Sequence, residues 1–432
     1  MAEQIKPSNI NWIGDIPIDW QIKRIKYLSS LKGRIGWQGL TSDEYTDEGP
    51  FLITGIDFDN GTINWNSCVH ITEKRWEEAP EIHIKNGDLL ITKDGTVGKV
   101  AIVTGLVGKA SLNSGVLLVR TFNGFDKKFL YWVLQSEEFW TWFKLKNAGN
   151  STIIHLYQND FAEFCYTFPI EQEQRAIADY LDKQCAKIDS IIKDLETQID
   201  LLQKYKKSLI LETVTKGLNK DVPMKPSGID WIGDIPTHWA VKRYKYCGNV
   251  QYGYPFDSNY FTNEETGFPL IRIRDITSGN IETYYEGNYP KEYIVQKGDV
   301  LIGMDGDFNI RIWDNEKALL NQRCCRILDH KQTSKRFMAY YLLNQLKLIN
   351  DLTWSTTVKH LLAEDIKNIY VTIPSIEEQE QIADYLDSQC RKIDSILKDK
   401  QEQLEKIKQH KKSLIYEYVT GKKRVKEAIN GN

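Results

Sequence analysis

Ala178-Asp179-Tyr180-Leu181-Asp182, continued by Gln184-Cys185 and Lys187-Ile188-Asp189-Ser190-Ile191, returns as Ala383 to Asp387, Gln389-Cys390 and Lys392 to Ile396. The offset is 205 residues, and it still holds where Lys206-Lys207-Ser208-Leu209-Ile210 meets Lys411 to Ile415. The two copies therefore align without a gap. Within the first, Leu181, Ile188, Leu195 and Leu202 form one row of sevens, with Cys185, Ile192 and Ile199 four residues on. Within the second, Leu386, Ile393 and Ile407 form the first row, and Cys390, Leu397 and Leu404 the other. Alternating four-three spacing is the a/d seam of a coiled coil. Pro169 and Pro374 precede the two segments, and no Pro or Gly follows until Gly217 and Gly421. Each copy thus reads as one helix of about 45 residues, roughly 65–70 Å at the helical rise. Lys400, Lys206 and Lys411 depart from the apolar pattern.

Working outward, Asn11-Trp12-Ile13-Gly14-Asp15-Ile16-Pro17, Trp20 and Lys23-Arg24 recur as Asp230-Trp231-Ile232-Gly233-Asp234-Ile235-Pro236, Trp239 and Lys242-Arg243, now at an offset of 219. Between entry and helix the copies diverge, and the second block is 14 residues shorter. Only landmarks survive: Gly87 to Ile91 with Asp94-Gly95 against Gly298 to Ile302 with Asp305-Gly306, and His155-Leu156 with Asp160 against His360-Leu361 with Asp365. The blocks carry short Val/Ile/Thr/aromatic runs such as Gly115 to Val119 and Pro269 to Ile273, bounded by Gly, Asn and Asp turns. Helical stretches near Phe129 to Phe143 and Arg336 to Leu348 interrupt them. The expected fold class is α+β, with two globular domains separated by two long antiparallel coiled-coil helices and an internal pseudo-twofold repeat. The expected order is a first domain over 1–168, a helix over 169–217, a linker and second domain over 218–373, a helix over 374–425 and a tail over 426–432.

Lys plus Arg total 56 against 59 for Asp plus Glu, so the chain is neither a polycation nor an acidic tail. Local clustering of Arg and Lys can still make a nucleic-acid face, which the total does not show. No uncharged apolar run approaches the ~18–20 residues of a membrane span, and no secretory leader is legible, so a soluble cytoplasmic protein is expected. Seven cysteines without a CxxC pair signal neither a zinc ribbon nor a disulfide framework.

Motifs for chemistry are missing. Thr96-Val97-Gly98-Lys99 and Leu106-Val107-Gly108-Lys109 lack the upstream glycine of a phosphate loop, and no G-x-G-x-x-G, H-E-x-x-H or G-x-S-x-G occurs. Asp88 and Lys93 superficially suggest a nuclease, but Ile91 stands where a second acidic ligand is due. Asp94-Gly95 and Asp305-Gly306-Asp307 read as turns, and His155 and His360 as core or capping histidines. Binding is better supported. Thr92 to Lys99 mixes lysines, hydroxyls and glycines that let backbone approach a ligand. In the first block the candidate DNA contacts are Arg34, Gln38, Lys93, Thr96 and Lys99. In the second they are Arg272, Arg274, Asn309, Arg311, Gln322 and Arg323, since Arg, Asn and Gln can bond guanine or adenine edges with two atoms at once.

Taken together, the duplicated Trp-x-Gly-x-Ile-Pro entry, the run Lys85 to Lys99, its counterpart Lys297 to Phe308, Leu320-Asn321-Gln322-Arg323 and the Glu/Gln-rich heads of both helices resemble the specificity (S) subunits of type I restriction-modification systems. The resemblance spans nearly the whole chain. It implies a non-catalytic subunit whose two target recognition domains each read half of a bipartite, asymmetric site in double-stranded DNA. It also implies two methyltransferase (modification) subunits and restriction subunits as partners, with S-adenosylmethionine, ATP and magnesium bound there and no cofactor in this chain. A coiled-coil adaptor that binds proteins through its variable domains is the competing reading.

Overall fold

The computed structural model describes residues 4–34, 39–148, 154–352 and 359–425. Two helices dominate it, Glu171–Lys216 and Ile376–Val419. The chain divides into two compact units, residues 1–195 with 402–432, and residues 196–401. Neither unit follows the linear blocks, because each contains the beginning of one long helix and the end of the other.

In the first unit a four-stranded antiparallel sheet runs in the order Val100–Ile102, Leu89–Thr92, Val116–Thr121, Ser29–Gly33. The second unit repeats it as Ile310–Ile312, Val300–Gly303, Cys324–Leu328, Asn249–Tyr252. Successive strand residues point to opposite faces, and here both faces are covered. Leu89 and Ile91 enter one core while Leu90 enters another. Val300 and Ile302 against Leu301 do the same in the second unit. That is why Leu89-Leu90-Ile91 and Val300-Leu301-Ile302 are continuous apolar runs rather than alternating ones. A second sheet in each unit contains one parallel pair, Thr46–Ile53 with Ala110–Leu112 and Phe268–Ile271 with Ala318–Leu320. The Pro269–Ile273 run is not strand throughout. Strand ends at Ile271 and a short helix spans Ile273–Ser278, because Asp275 Oδ2 accepts the Arg272 backbone N–H at 2.8 Å and closes a helical turn.

The repeated entry and helix segments make one frame used twice. Gln21–Arg24 pairs with Cys165–Phe168, and Ala240–Arg243 with Tyr370–Ile373. Thr167 Oγ1 donates to Val419 O at 2.8 Å, and Thr372 Oγ1 to Val214 O at the same distance. The helix heads are pinned by buried glutamines. Gln174 accepts from the Asp126 N–H and donates to Pro169 O, as Gln379 does with Ser334 N–H and Pro374 O. The helices stop where Gly217 and Gly421 take left-handed φ of 78° and 71°. A side chain at Gly421 would meet Pro17 and Trp20, and one at Gly217 would meet Trp239.

Along the helices Leu181, Ile188, Leu195, Leu386, Ile393 and Leu404 are buried, while Ile192, Ile199, Leu202, Leu397 and Ile407 are half-buried. In each unit the helices run antiparallel. Tyr180 packs against Tyr418, with ring centroids 4.6 Å apart and planes tilted by 35°, and Lys411 Nζ bonds Asp189 at 2.6 Å in the first, while Lys206 Nζ bonds Asp394 at 2.6 Å in the second. Two of the three lysines that interrupt the seam are thus the two copies of one cross-helix ion pair. The third, Lys400, is the repeat counterpart of Leu195 and donates to Gln198 Oε1 at 2.5 Å.

Candidate nucleic-acid interface

Each unit presents a hairpin turn after its buried strand, residues 93–99 and 304–309. The turn glycines Gly95 and Gly306 have φ of 68° and 75°, which only glycine adopts cheaply. The turn aspartates do not bond their own backbone. Asp94 Oδ1 lies 2.5 Å from His155 Nδ1, and Asp305 Oδ1 pairs with His360 Nδ1 in the same way. Backbone bonds reinforce the link, Leu156 N–H to Lys93 O at 2.9 Å and Leu361 N–H to Met304 O at 2.7 Å. Both histidines are partly exposed and neither belongs to a core, so their role is to tie the turn to the segment preceding the helix frame. Behind the turn, buried Asp88 accepts from Arg120 Nε and Nη2 at 2.9 and 2.7 Å and from the Lys85 N–H. Asp299, with Arg326 and the Gln296 N–H, repeats the arrangement. Asp88 is therefore a strut and not a metal ligand; among the described residues no group of acidic, His or Cys side chains could hold a metal ion.

Four of the second block's six candidates come together. Arg272, Arg274, Gln322 and Arg323 line one cavity of about 380 Å³ with Phe256 and Phe261. Arg274 Nη2 donates to Thr283 Oγ1 at 3.0 Å and sits 3.4 Å from Glu282, and its side chain remains 50% exposed. Arg323 Nη1 lies 3.3 Å from Asp305 with its side chain 57% exposed. These contacts hold the guanidinium planes while leaving part of each fork on the surface. Buried Asp275 sits beneath them. Burial pushes its carboxyl up, opposed by the Arg272 backbone bond and the nearby Arg274 charge.

The other two candidates are placed elsewhere. Arg311 reaches the carbonyls of Ile276 and Thr277, each at 3.5 Å, at the end of the short helix. Cations favour a helix C-terminus, so this is a structural use. Asn309 donates to Thr277 Oγ1 at 3.0 Å and lines a different cavity with Lys207 and Lys347.

In the first unit Arg34 is not at the surface. It is 4% exposed, donates to Leu112 O at 2.7 Å and Ser111 Oγ at 2.9 Å, and burial pulls its guanidinium down from the usual range. The expectation of a DNA contact there is corrected: Arg34 braces the Ala110–Leu112 strand. Gln38 lies outside the described residues. Thr96 and Lys99 are exposed and Lys93 half-buried. Thr96 stands beside Gly55, whereas Lys99 lines a hollow with Phe58, Gln135 and Trp140. Phe256 and Phe261 were not singled out from sequence, since isolated aromatics in a divergent block carry no period. Their proximity to the arginines is made by strand order.

A twice-built frame of helices and short strands, carrying two divergent domains with polar rims, defines a duplicated recognition module. The family model for the type I restriction modification DNA specificity domain matches residues 17–201 and 236–406. The chain belongs to that family, and its role is DNA sequence recognition without catalysis. It is 42% identical over 196 residues to the type I restriction enzyme EcoBI specificity subunit of Escherichia coli, a match covering 45% of this chain and 41% of that one. It is 27% identical over 439 residues to the MjaVIII specificity subunit of Methanocaldococcus jannaschii, covering 95% and 94%. In fold it is similar to a chain solved in work on assembly and conformational transition of the type I R-M system, with TM-score 0.70, 15% identity, and 94% and 98% coverage. The HsdS subunit of Thermoanaerobacter tengcongensis gives 0.51, also at 15% identity, with the same coverage. The protein-adaptor alternative is not favoured by these matches. No helix among the described residues is long and apolar enough to cross a membrane.

Proposed function

We propose that this chain reads a bipartite, asymmetric site in double-stranded DNA, one half per domain, and directs two methyltransferase subunits and the restriction subunits to it. The domains are residues 1–168 and 218–373, and the helices 169–217 and 374–425 serve as spacer and partner platform. S-adenosylmethionine, ATP and magnesium belong to the partner chains, which work in the cytoplasm. One observation carries this reading: the same sheet order, the same Asp–Arg strut and the same Asp–His tie recur in both units, while the exposed side chains around them differ. A shared scaffold with unlike rims suits two readers of unlike sequences. Within the reading set, Arg272, Arg274, Gln322 and Arg323 contact the second half-site, and Lys93, Thr96 and Lys99 the first.

The test is a genome-wide map of methylated adenines in cells expressing this chain with its modification subunits. One interrupted motif with two unlike halves is expected. Methylation without a shared motif, or with a continuous symmetric one, would overturn the reading.

A further inference from the structure

The two rims can be aligned residue by residue through hydrogen bonds. Ile53 pairs with Leu112 in the parallel register, and Asn113 N–H donates to Ile53 O at 2.9 Å. Ile271 pairs with Leu320, and Asn321 N–H donates to Ile271 O at 3.3 Å. Asp57 Oδ2 accepts the Thr54 N–H at 2.7 Å just as Asp275 Oδ2 accepts the Arg272 N–H at 2.8 Å. Thr54-Gly55-Ile56 therefore occupies the place of Arg272-Ile273-Arg274, and Asn113-Ser114-Gly115 that of Asn321-Gln322-Arg323. Where the second unit carries three arginines, the first carries none. At the position of Arg274 stands Ile56, 81% exposed. A lone exposed isoleucine is ordinary. One held by a buried aspartate at the register of a clustered arginine, and two residues from the Thr54 cap bond, is placed.

We propose that Ile56 is a specificity-determining residue that packs against a thymine methyl in the first half-site, while Arg274, with Arg272 and Arg323, bonds guanine in the second. The inference rests on the DNA-reading function above. Guanine offers O6 and N7 to a guanidinium fork, and thymine offers its C5 methyl to an apolar side chain in the same groove. Gly55 leaves room beside Ile56. A Cβ there would lie 3.6 Å from Thr96 Oγ1, so the hairpin turn and the Ile56 turn form one continuous edge. The two domains thus share a backbone edge and differ in the chemistry presented from it.

The experiment uses the chain assembled with its modification subunits and a duplex carrying the mapped site. Deoxyuridine replaces each thymidine of the first half-site in turn, removing only the methyl. The intact complex should lose affinity about fourfold at one position, the worth of one buried methyl. The Ile56→Ala complex should bind the normal duplex that much more weakly and show no further loss with deoxyuridine at that position. In the second half-site, 7-deazaguanine should weaken the intact complex about tenfold at one guanine, and Arg274→Ala should abolish that sensitivity. Indifference of the intact complex to every deoxyuridine, or undiminished sensitivity in Ile56→Ala, would overturn the proposal while leaving the bipartite reading intact. A complex with no preference for the mapped site over unrelated DNA would overturn both.

Discussion

The two domains differ most where they are most exposed and least where they are most buried. The Asp88–Arg120 pair and the Asp299–Arg326 pair keep their bonds although the blocks around them have little sequence in common. At the rim, Thr54-Gly55-Ile56 stands where Arg272-Ile273-Arg274 does, on the same aspartate-capped turn. The lesson is that the repeat preserves what orients the reading edge and leaves free what is read.

The largest expected effect lies in the frame, where the two copies should respond alike. Leu181 and Leu386 are both fully buried. Replacing either by Asp places a charge in an apolar core, at a cost of about 4 kcal/mol or more. Thermal unfolding should show comparable losses for Leu181→Asp and Leu386→Asp, and a large loss for one alone would break the equivalence of the copies. Next come the struts. Arg120→Ala strips the main partner from the buried Asp88 and should destabilise the first domain by about 2–3 kcal/mol, whereas Arg326→Ala leaves the half-buried Asp299 paired with Lys335 and should cost the second domain about 1–2 kcal/mol. Chemical denaturation of the two variants checks both values.

At the rim equivalence should fail. Arg323→Ala should cost about 1–3 kcal/mol of binding and relax one position of the second half-site only, as read from the methylation map. Uniform weakening across all sites would assign Arg323 to phosphate instead. A smaller effect sharpens the comparison from inside the first unit. Glu138 is fully buried, its Oε1 accepts the Thr167 N–H at 3.3 Å, and burial pushes its carboxyl well above the usual range. The folded state thus holds a proton that the unfolded chain releases above its ordinary pKa of about 4.5. Folding stability is therefore lost as pH rises through and above that value. Glu138→Gln should stabilise the protein by about 1 kcal/mol at neutral pH and change little near pH 4. Unfolding midpoints at the two pH values check it.

Much of the frame was legible in the sequence because its signal is periodic or repeated. Leu181, Ile188 and Leu195 declare a seam by spacing alone, and Gly217 and Gly421 declare where it ends. Lys206 and Lys411 looked like defects because their partners, Asp394 and Asp189, lie on the other helix nearly 200 residues away or more. The rim was half legible. Arg272, Arg274 and Arg323 were found by residue type, but residue type also pointed to Arg34, which a strand 77 residues distant encloses. Arg311 is half-buried rather than enclosed, and the carbonyls it reaches belong to the short helix Ile273–Ser278, which no sequence period declares. Ile56 carries no signal by itself. Only the hydrogen-bond register that makes it the equivalent of Arg274 gives it meaning.

The central claim is that the two domains are independent readers on one frame, and a domain exchange tests it most directly. The strand Cys165–Phe168 belongs to the frame through its pairing with Gln21–Arg24. The exchanged segment is therefore Lys26 to Phe164, which carries Lys26 and its partner Glu163 together. In cells expressing the exchanged chain with its modification subunits, the map of methylated adenines should show a new first half-site and an unchanged second one. A map in which both halves change, or in which neither does, would contradict the account.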